Sequence, residues 1–359
     1  MKAVIAFYIN TLGNGGAERV ISQLANYLSS IEYRVILITS YRVENEYFIC
    51  EQVERINIES EKDTRNVIKR NFSRIRAVRK ICRREKVDVL ISFMAEPNFR
   101  AVLACIGLPT KNIISIRSDP RREYGGKIGH CIGKFLLPMA DGCVFQTEDA
   151  KSWFPKRLQK KSTIIFNPLA KAFFEVERKV VCNVVSICRL NKAKNLGMLI
   201  RAFQRLANKY PDQNLLIYGN GEMKQELQEL IASCSLEQRV KLMGATTDVP
   251  TVLAGAGIFV LSSDYEGMPN ALMEALAVGV PSVSTDCPCG GPRMLIEHGT
   301  NGLLVPVGDE EKLVEALDFL LSDQEFAAQI GKNAAQKARG QFYSEKICAQ
   351  WVQYIEGIV

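Results

Sequence analysis

Short apolar runs alternate with amphipathic helical stretches along nearly the whole chain. In the first half, the pattern predicts strands at 2–9, 34–40, 87–93, 112–117, 142–146 and 162–166, with helices at 17–30, 65–84, 97–106 and 128–139 and an irregular loop at 47–60. In the second half, it predicts strands at 181–188, 214–218, 239–243, 257–261, 281–284 and 302–305, each followed by a helical stretch, and closing helices at 323–339 and 344–357. Such alternation predicts parallel sheets covered by helices on both faces.

The alternation occurs twice, so we expect an α/β protein with two Rossmann-like, doubly wound domains. Asn167 and Pro168 predict a turn after the first set of elements, and the polar run 175–179 predicts a linker. We therefore place the first domain at 1–170 and the second at 178–340. The remaining residues, 341–359, are expected to form a helix that packs back toward the first domain.

Composition places the chain among cytosolic globular proteins. Hydrophobic residues make up 47% and charged residues 24% of its 359 residues. It contains no apolar run long enough for a membrane span, and we expect no secretory leader, because the chain goes straight into strand-like residues without a charged n-region or a cleavage site. Its eleven cysteines include no Cys-x-x-Cys pair, so we expect reduced thiols rather than disulfides or a metal site.

Two glutamates eight positions apart mark the most informative stretch. Glu266 follows an apolar strand and a short polar turn, and Glu274 lies one turn inside the next helix, which Pro269 would begin and Gly279 would end. The amino end of such a helix presents free N–H groups and partial positive charge, which favour phosphate. The pattern predicts a diphosphate between two carboxylates that bind hydroxyls. An ordinary strand–helix unit with solvated glutamates remains the alternative.

Glycine-rich turns follow several strands, at the edge where doubly wound sheets bind ligands. The turn at 13–19 opens a helix after the first strand, and its glycines would let the backbone approach an anion. A dinucleotide-binding fingerprint would require glycine in place of Glu18. Dinucleotide binding is therefore disfavoured. Similar turns occur at Gly219 with Gly221 and at 244–249. A purely structural tight turn remains the alternative for each.

A cationic loop with Arg189 and Lys194 follows the strand at 181–188. The charge of a leaving diphosphate is neutralised either by Mg²⁺ on paired aspartates or by fixed Arg and Lys side chains. Because the sequence has no Asp-x-Asp, we predict that these two cations perform this role without an obligatory metal. A solvated basic loop is the alternative.

Together these motifs resemble glycosyltransferase family 4 over essentially the whole chain. The matching features are Gly-Gly-Ala-Glu-Arg near the amino terminus, Arg-Leu followed by Lys-Asn, Gly-x-Gly-Glu, the spaced glutamates, an Asn-Pro at the domain crossover and Asn-Gly-Leu-Leu-Val ending at 305. The resemblance implies the GT-B architecture, with two Rossmann-like domains facing each other across a cleft. It also implies retaining chemistry, with the nucleotide sugar on the C-terminal domain and most of the acceptor on the N-terminal domain.

The resemblance implies roles for individual residues. Arg189 and Lys194 would bind the donor diphosphate, Glu266 the transferred sugar and Glu274 the ribose. We treat Glu266, Arg189 and Lys194 as catalytic. Further donor-binding residues would be Gly15, Gly16, Gly219, Gly221, Asp248, Val249, Gly267, Met268, Pro269 and Asn270.

One position departs from the family pattern. Many members have a histidine after the fourth strand of the first domain, where this chain has Arg117. Arginine does not exchange protons near neutral pH, so its role there would be electrostatic or hydrogen-bonding. Pairing with Asp119 or Glu123 on a surface loop is the alternative. Glu96 and Asn98 are two further possible contacts to sugar or acceptor.

We therefore predict a retaining glycosyltransferase of surface-glycan synthesis, which uses UDP-N-acetylhexosamine or UDP-hexose and a saccharide acceptor that is lipid-linked. UDP is favoured because the segment 286–293 resembles one common in UDP-sugar enzymes of the family. We expect no cofactor, no metal and no nucleic-acid partner. A nucleotide-sugar epimerase on the same architecture and a non-catalytic nucleotide-sugar-binding protein remain the alternatives.

Basic charge is concentrated in the first half of the chain. Residues 62–86 contain eleven Lys and Arg against two acids. An apolar stripe runs along the same predicted helix at Ile68, Phe72, Ile75, Val78 and Cys82. We expect this helix to bind an anionic membrane surface, which would make the protein peripheral on the cytoplasmic face. The alternative is that the stripe packs on the sheet and the cations are solvated, and both can hold together.

Overall fold

Two separate parallel sheets organise the chain. The computed structural model describes residues 2–13, 15–59, 66–179, 181 and 183–359. These residues fall into two units, the first made of 1–168 together with 345–359 and the second of 169–344. Each unit has its own hydrophobic core.

The first unit contains a seven-stranded parallel sheet. Its strands are β1 (Val4–Ile9), β2 (Arg34–Thr39), β3 (Glu54–Asn57), β4 (Val89–Phe93), β5 (Lys111–Ser115), β6 (Gly142–Phe145) and β7 (Ser162–Ile164). Their order across the sheet is β3-β2-β1-β4-β5-β6-β7. The strand order runs outward in opposite directions from β1 and β4, so the order reverses between these two strands. Doubly wound folds bind ligands at this point, beyond the carboxyl ends of the strands.

Helices cover both faces of this sheet. They are α1 (Gly16–Ser30), α2 (Val67–Arg84), α3 (Ala95–Cys105), α4 (Pro120–Glu123), α5 (Lys127–Cys131), α6 (Glu148–Trp153) and α7 (Lys156–Gln159). Ile5 and Phe7 of β1 pack in one core cluster with α1, whereas the alternating Ala6 and Tyr8 pack in another with α2 and α3. Since successive side chains of a strand point to opposite faces, both faces are covered.

The second unit repeats this plan with six parallel strands. They are β8 (Asn183–Ile187), β9 (Asn214–Tyr218), β10 (Val240–Gly244), β11 (Ile258–Leu261), β12 (Ser282–Thr285) and β13 (Leu303–Val305). Their order is β10-β9-β8-β11-β12-β13, so the reversal lies between β8 and β11. The predicted fold class, two doubly wound parallel α/β sheets, is confirmed.

The remaining helices complete both units. They are α8 (Ala172–Glu175), α9 (Leu196–Ala207), α10 (Lys224–Ser233), α11 (Val249–Gly255), α12 (Asn270–Val278), α13 (Gly291–Leu295), α14 (Glu310–Ser322), α15 (Gln324–Gln341) and α16 (Ser344–Glu356). Nearly all of α16 belongs to the first unit, where Ile347 and Trp351 lie in the core cluster that contains α1. The Trp351 ring stacks on Phe93 with a centroid distance of 5.7 Å.

Two local expectations for the first unit are wrong. The loop expected at 47–60 contains β3, which pairs in parallel with β2. The single helix expected at 128–139 is instead α5, a π-helical turn (Ile132–Leu136) and a 3₁₀ turn (Leu137–Met139). Pro138 cannot donate a helical hydrogen bond, so it interrupts a regular helix here. At Gly133 the Trp153 ring approaches the backbone closely, because a Cβ there would lie 2.6 Å from the ring.

The apolar stripe predicted on α2 is divided by its surroundings. Val78 and Cys82 are buried against the sheet, whereas Ile68 is 78% exposed and Phe72 is 55% exposed. The alternative that the whole stripe packs on the sheet is therefore wrong for the first half of the stripe. Residues 62–65 of the predicted basic segment lie outside the described residues.

Candidate functional site

Lys194 and Glu266 form an ion pair at the carboxyl ends of β8 and β11, the two strands at the reversal of the second sheet. Their side chains are 18% and 13% exposed. The Ser263 hydroxyl donates a hydrogen bond of 2.7 Å to the same carboxylate oxygen, Glu266 Oε1. Among the described residues, none donates to Glu266 Oε2, which leaves this atom able to accept hydrogen bonds from a ligand.

The turn after β11 fixes the loop that carries Lys194. Ser262 Oγ donates to the Lys194 carbonyl at 2.8 Å, and the Asp264 N–H donates to the Ala193 carbonyl at 2.8 Å. Asn195 adopts a left-handed backbone (φ 44) and donates from its side chain to Asp264 at 2.8 Å. These contacts hold the backbone of the cationic loop beside Glu266.

The helix α12 begins beside this pair. Pro269, predicted to be the first helical residue, is the N-cap, so the helix begins one residue later than predicted. No side chain caps the helix there. Gly279 ends the helix in a left-handed conformation (φ 83), as predicted. Of the predicted donor-binding residues here, Glu274 is buried and Asn270 is half-buried. Gly267 and Met268 precede the helix, with Met268 buried.

Gly219 and Gly221 allow two loops of this unit to approach closely. A Cβ at Gly219 would lie 1.8 Å from the Cys188 carbonyl oxygen, and one at Gly221 would lie 2.2 Å from the Leu190 carbonyl oxygen. Gly219 also has a φ of 141, which side chains rarely adopt. These glycines therefore position the backbone that leads to Arg189.

Two other predicted donor-binding positions lie at the start of α11. Asp248 is its N-cap and accepts a hydrogen bond of 3.3 Å from the Thr251 N–H. Val249 is the first residue of the helix and is half-buried.

Arg189 is exposed and, within the described part of the chain, forms no salt bridge. The structure thus joins Lys194 to Glu266 directly but leaves Arg189 without a carboxylate.

In the first unit, Gly15 and Gly16 form the start of α1. Gly15 is its N-cap residue, and its N–H donates to the Gly13 carbonyl at 2.7 Å. A Cβ at Gly15 would lie 2.0 Å from Glu18 Oε2, so the carboxylate of Glu18 lies against this turn. The turn follows β1, one of the two strands at the reversal of the first sheet.

Arg117 is buried, contrary to the surface-loop alternative. It is 9% exposed, and its Nη1 donates to Asn167 Oδ1 at 2.8 Å. Its Nε and Nη2 have no hydrogen-bond partner among the described residues. Burial lowers the pKa of Arg117 from its ordinary value to about 9. Asp119 instead caps α4 by accepting from the Arg121 N–H at 3.0 Å.

Glu96 and Asn98 of α3 differ in their accessibility. Glu96 is half exposed, and it accepts from the buried Arg100 at 2.6 Å. Burial alone would raise the pKa of Glu96, but the charge and hydrogen bond of Arg100 lower it below its usual value. Asn98 is fully buried: it accepts from Ser92 at 2.9 Å and donates to the Ser115 carbonyl at 2.8 Å. Asn98 therefore ties β4 to β5, and the expected contact of its amide with substrate is not supported.

Sequence reasoning missed the residues that position this site. Ser263 and Asp264 lie in the polar turn after the buried strand β11, and that placement could have indicated contacts to a neighbouring loop. Arg100 lies four residues after Glu96 on one helix, a spacing that favours an ion pair.

Over the described residues, no group of three or more His, Cys, Asp or Glu side chains is arranged to hold a metal ion. In the same residues, no helix has the length and apolarity that crossing a membrane requires.

Solved structures share this fold. The chain superimposes on HepE from Anabaena in complex with UDP and glucose with a TM-score of 0.82 at 17% identity, covering 98% of this chain and 99% of HepE. This similarity concerns the fold.

Comparison with known sequences identifies the family. The chain is 30% identical to GalNAc-alpha-(1->4)-GalNAc-alpha-(1->3)-diNAcBac-PP-undecaprenol alpha-1,4-N-acetyl-D-galactosaminyltransferase of Campylobacter jejuni, over 98% of each protein. It is 29% identical to a second enzyme of that organism, N-acetylgalactosamine-N,N'-diacetylbacillosaminyl-diphospho-undecaprenol 4-alpha-N-acetylgalactosaminyltransferase, over 98% of this chain and 99% of that enzyme. The family models "Glycosyltransferase Family 4" and "Glycosyl transferases group 1" match residues 14–170 and 174–337. The chain therefore belongs to glycosyltransferase family 4 and is a glycosyltransferase.

Proposed function

We propose that this protein is a retaining glycosyltransferase that transfers an N-acetylhexosamine or a hexose from its UDP derivative to a lipid-linked saccharide. The contact between Lys194 and Glu266 beside the amino end of α12 is the observation that carries the proposal. It combines a cation suited to a diphosphate with a carboxylate suited to sugar hydroxyls. Both are placed at the strand edge where doubly wound sheets bind ligands.

Each part of the donor would meet a different group. The diphosphate would lie between Lys194, Arg189 and the backbone amides of 267–270, because an uncapped helix start favours anions. Glu266 Oε2 would accept hydrogen bonds from the transferred sugar, and Glu274 from the ribose. The base would lie near Asp248 and Val249.

Little side-chain acid–base chemistry is required. As the glycosidic bond breaks, negative charge develops on the leaving diphosphate and is neutralised by Arg189 and Lys194. The acceptor hydroxyl attacks from the face that the leaving group vacates, and a phosphate oxygen takes its proton, so the configuration is retained. Arg117 stays charged at neutral pH even with a pKa of about 9, so its contribution is electrostatic.

The relatives support the choice of substrates. Both Campylobacter enzymes are named as N-acetylgalactosaminyltransferases that act on undecaprenol-linked saccharides. We infer a UDP-N-acetylhexosamine first and a UDP-hexose second, with an acceptor carried on a polyprenyl diphosphate. Both names describe transferases, which favours transfer over the epimerase and the non-catalytic alternatives. We propose in addition that no metal is required, because fixed cations are available for the diphosphate.

A lipid-linked acceptor requires access to a membrane surface. On α2, exposed Ile68 and Phe72 lie on the same helix as exposed cations that include Arg76, Lys80 and Arg83. Apolar side chains next to cations favour adsorption to anionic lipid. We therefore propose that α2 provides a peripheral membrane contact.

Nucleotide release from a panel of UDP-sugars, with and without a lipid-linked saccharide extract, tests the function. We expect UDP release that depends on acceptor and an α-linked product. A change of sugar without acceptor would indicate an epimerase, and UDP-sugar binding without turnover would indicate a binding protein.

A further inference from the structure

We propose that the Lys194–Glu266 ion pair is exchanged when the donor binds. The diphosphate takes Lys194, and the released Glu266 receives the sugar. This inference rests on the proposed function, because it requires a nucleoside diphosphate beside α12. It adds a coupling between the two halves of donor recognition.

The argument starts from the contact itself. Lys194 Nζ donates to Glu266 Oε1, so each side chain neutralises the other before any ligand arrives. With exposed fractions of 18% and 13%, the pair is screened by solvent less than a surface pair. A diphosphate must therefore compete with Glu266 for the same ammonium group.

The surroundings allow only one of the partners to move easily. Glu266 is held by Ser263 at 2.7 Å on its carboxylate, while its N–H donates to the Pro288 carbonyl at 2.7 Å and its carbonyl accepts from the Cys289 N–H at 2.9 Å. The backbone of Lys194 is fixed by Ser262, but its four-carbon side chain is flexible. Exchange thus needs only rotation of the lysine side chain, after which Glu266 remains in place for the sugar.

Exchange makes the binding of diphosphate and sugar cooperative. While the ion pair is intact, Glu266 Oε1 is occupied and its charge is neutralised, so sugar hydroxyls find a weaker acceptor. After the diphosphate has taken Lys194, the carboxylate regains its full charge. By linkage, UDP raises the affinity for the sugar and the sugar raises the affinity for UDP by the same factor.

A double-mutant cycle measured by calorimetry with UDP tests the exchange. Glu266→Gln removes the competitor for Lys194, so we expect the Kd for UDP to fall about tenfold, which is about 1.4 kcal/mol. In a Lys194→Met background the same substitution should change the Kd less than twofold, because no ammonium remains to be released. Uridine, which lacks phosphate, should bind all four proteins equally and shows that the variants are folded.

Control and contrary outcomes are distinct. Glu310→Gln removes a carboxylate of the same unit that pairs with Arg201, so it controls for net charge and should leave the Kd for UDP unchanged. Weaker UDP binding by Glu266→Gln, or an equal gain in both backgrounds, would overturn the exchange. Absence of UDP binding by the wild-type protein would instead contradict the proposed donor site.

Discussion

Arg117 lies with its guanidinium carbon 4.2 Å above the ring of Phe93, and in the described residues no carboxylate forms a salt bridge with it. Arg100 is also buried, but it is joined to Glu96 at 2.6 Å. Burying a charge without an opposite charge is costly. We therefore propose that Arg117, which follows β5, has an electrostatic role in sugar transfer rather than a stabilising one.

Replacing Arg117 should therefore separate stability from activity. We expect Arg117→Met to leave the free energy of unfolding unchanged or to raise it by about 1 kcal/mol, because an unpaired buried charge is removed. Sugar transfer should fall at the same time. Arg100→Met is the matched control and should destabilise the protein, because it removes the hydrogen bonds of the buried Arg100 to Glu96, Asn71 and Asn10. Thermal unfolding and transfer rates check this, and equal destabilisation by both variants would argue for a structural role of Arg117.

The pKa of Arg117 also predicts a pH effect. Its folded-state pKa, about 9, lies well below that of a solvated arginine in the unfolded chain, so above pH 9 the unfolded chain binds more protons than the folded protein. The destabilisation by this group is therefore complete below pH 9 and decreases as the pH rises above it. The stability gain of Arg117→Met over wild type should shrink between pH 8 and pH 10.5, as denaturant titrations can show. A gain that grows over this range would contradict the assignment.

Loss of either fixed cation should reduce turnover. We expect Arg189→Ala and Lys194→Ala each to lower kcat by a hundredfold or more, since one preorganised donor to developing charge contributes about 3–4 kcal/mol. Activity should persist in excess EDTA. Near-normal turnover in either variant, or a loss in EDTA that Mg²⁺ reverses, would place the diphosphate charge elsewhere.

Glu274 should matter even for the nucleotide alone. We expect Glu274→Gln to weaken UDP binding, because a ribose contact is present with or without a sugar. The opposite sign is expected for Glu266→Gln, so calorimetry with UDP distinguishes the two glutamates. Equal loss of UDP affinity in both variants would show that this division of roles is wrong.

Membrane binding should depend on the exposed cations of α2. Arg79 is unsuitable for this test, because its Nη1 donates to the Ala104 and Ile106 carbonyls at 2.8 and 2.6 Å. We expect the triple change of Arg76, Lys80 and Arg83 to Ser to weaken binding to anionic liposomes about a hundredfold, since each cation contributes roughly 1 kcal/mol.

The matched control for that variant lies in the second unit. Arg201, Arg205 and Lys209 are partly exposed, and each is paired with an acid. Changing these three to Ser should alter liposome sedimentation little. Equal losses in both triple variants would indicate a net-charge effect, and salt-independent binding would exclude the electrostatic contact.

How much of this could be predicted from the sequence differs between elements. Strands such as β4 are buried throughout, so their continuous apolar runs identify them without tertiary information. The short polar strand β3 was missed because it exists through pairing with β2, with Ile56 opposite Ile38. Its own residues carry little strand signal.

The apolar stripe of α2 shows a second limit of prediction from the sequence. Periodicity correctly predicts which residues share a face of the helix, but it contains nothing about how much of that face a neighbour covers. Val78 is buried because it packs in a core cluster with strand residues such as Ala6 and Ile36, whereas Ile68 is exposed.

The sequence by itself determined the alternation of strands and helices, the strand-end loops and the chemical types of the candidate residues. These follow from local periodicity and turn chemistry, which act over a few residues. Only the tertiary structure decided that Lys194 contacts Glu266, that Asn98 is buried and that Arg117 Nε and Nη2 are buried without a hydrogen-bond partner in the described part of the chain. These outcomes depend on which strands become neighbours, since the order β8-β11 joins residues far apart in the chain.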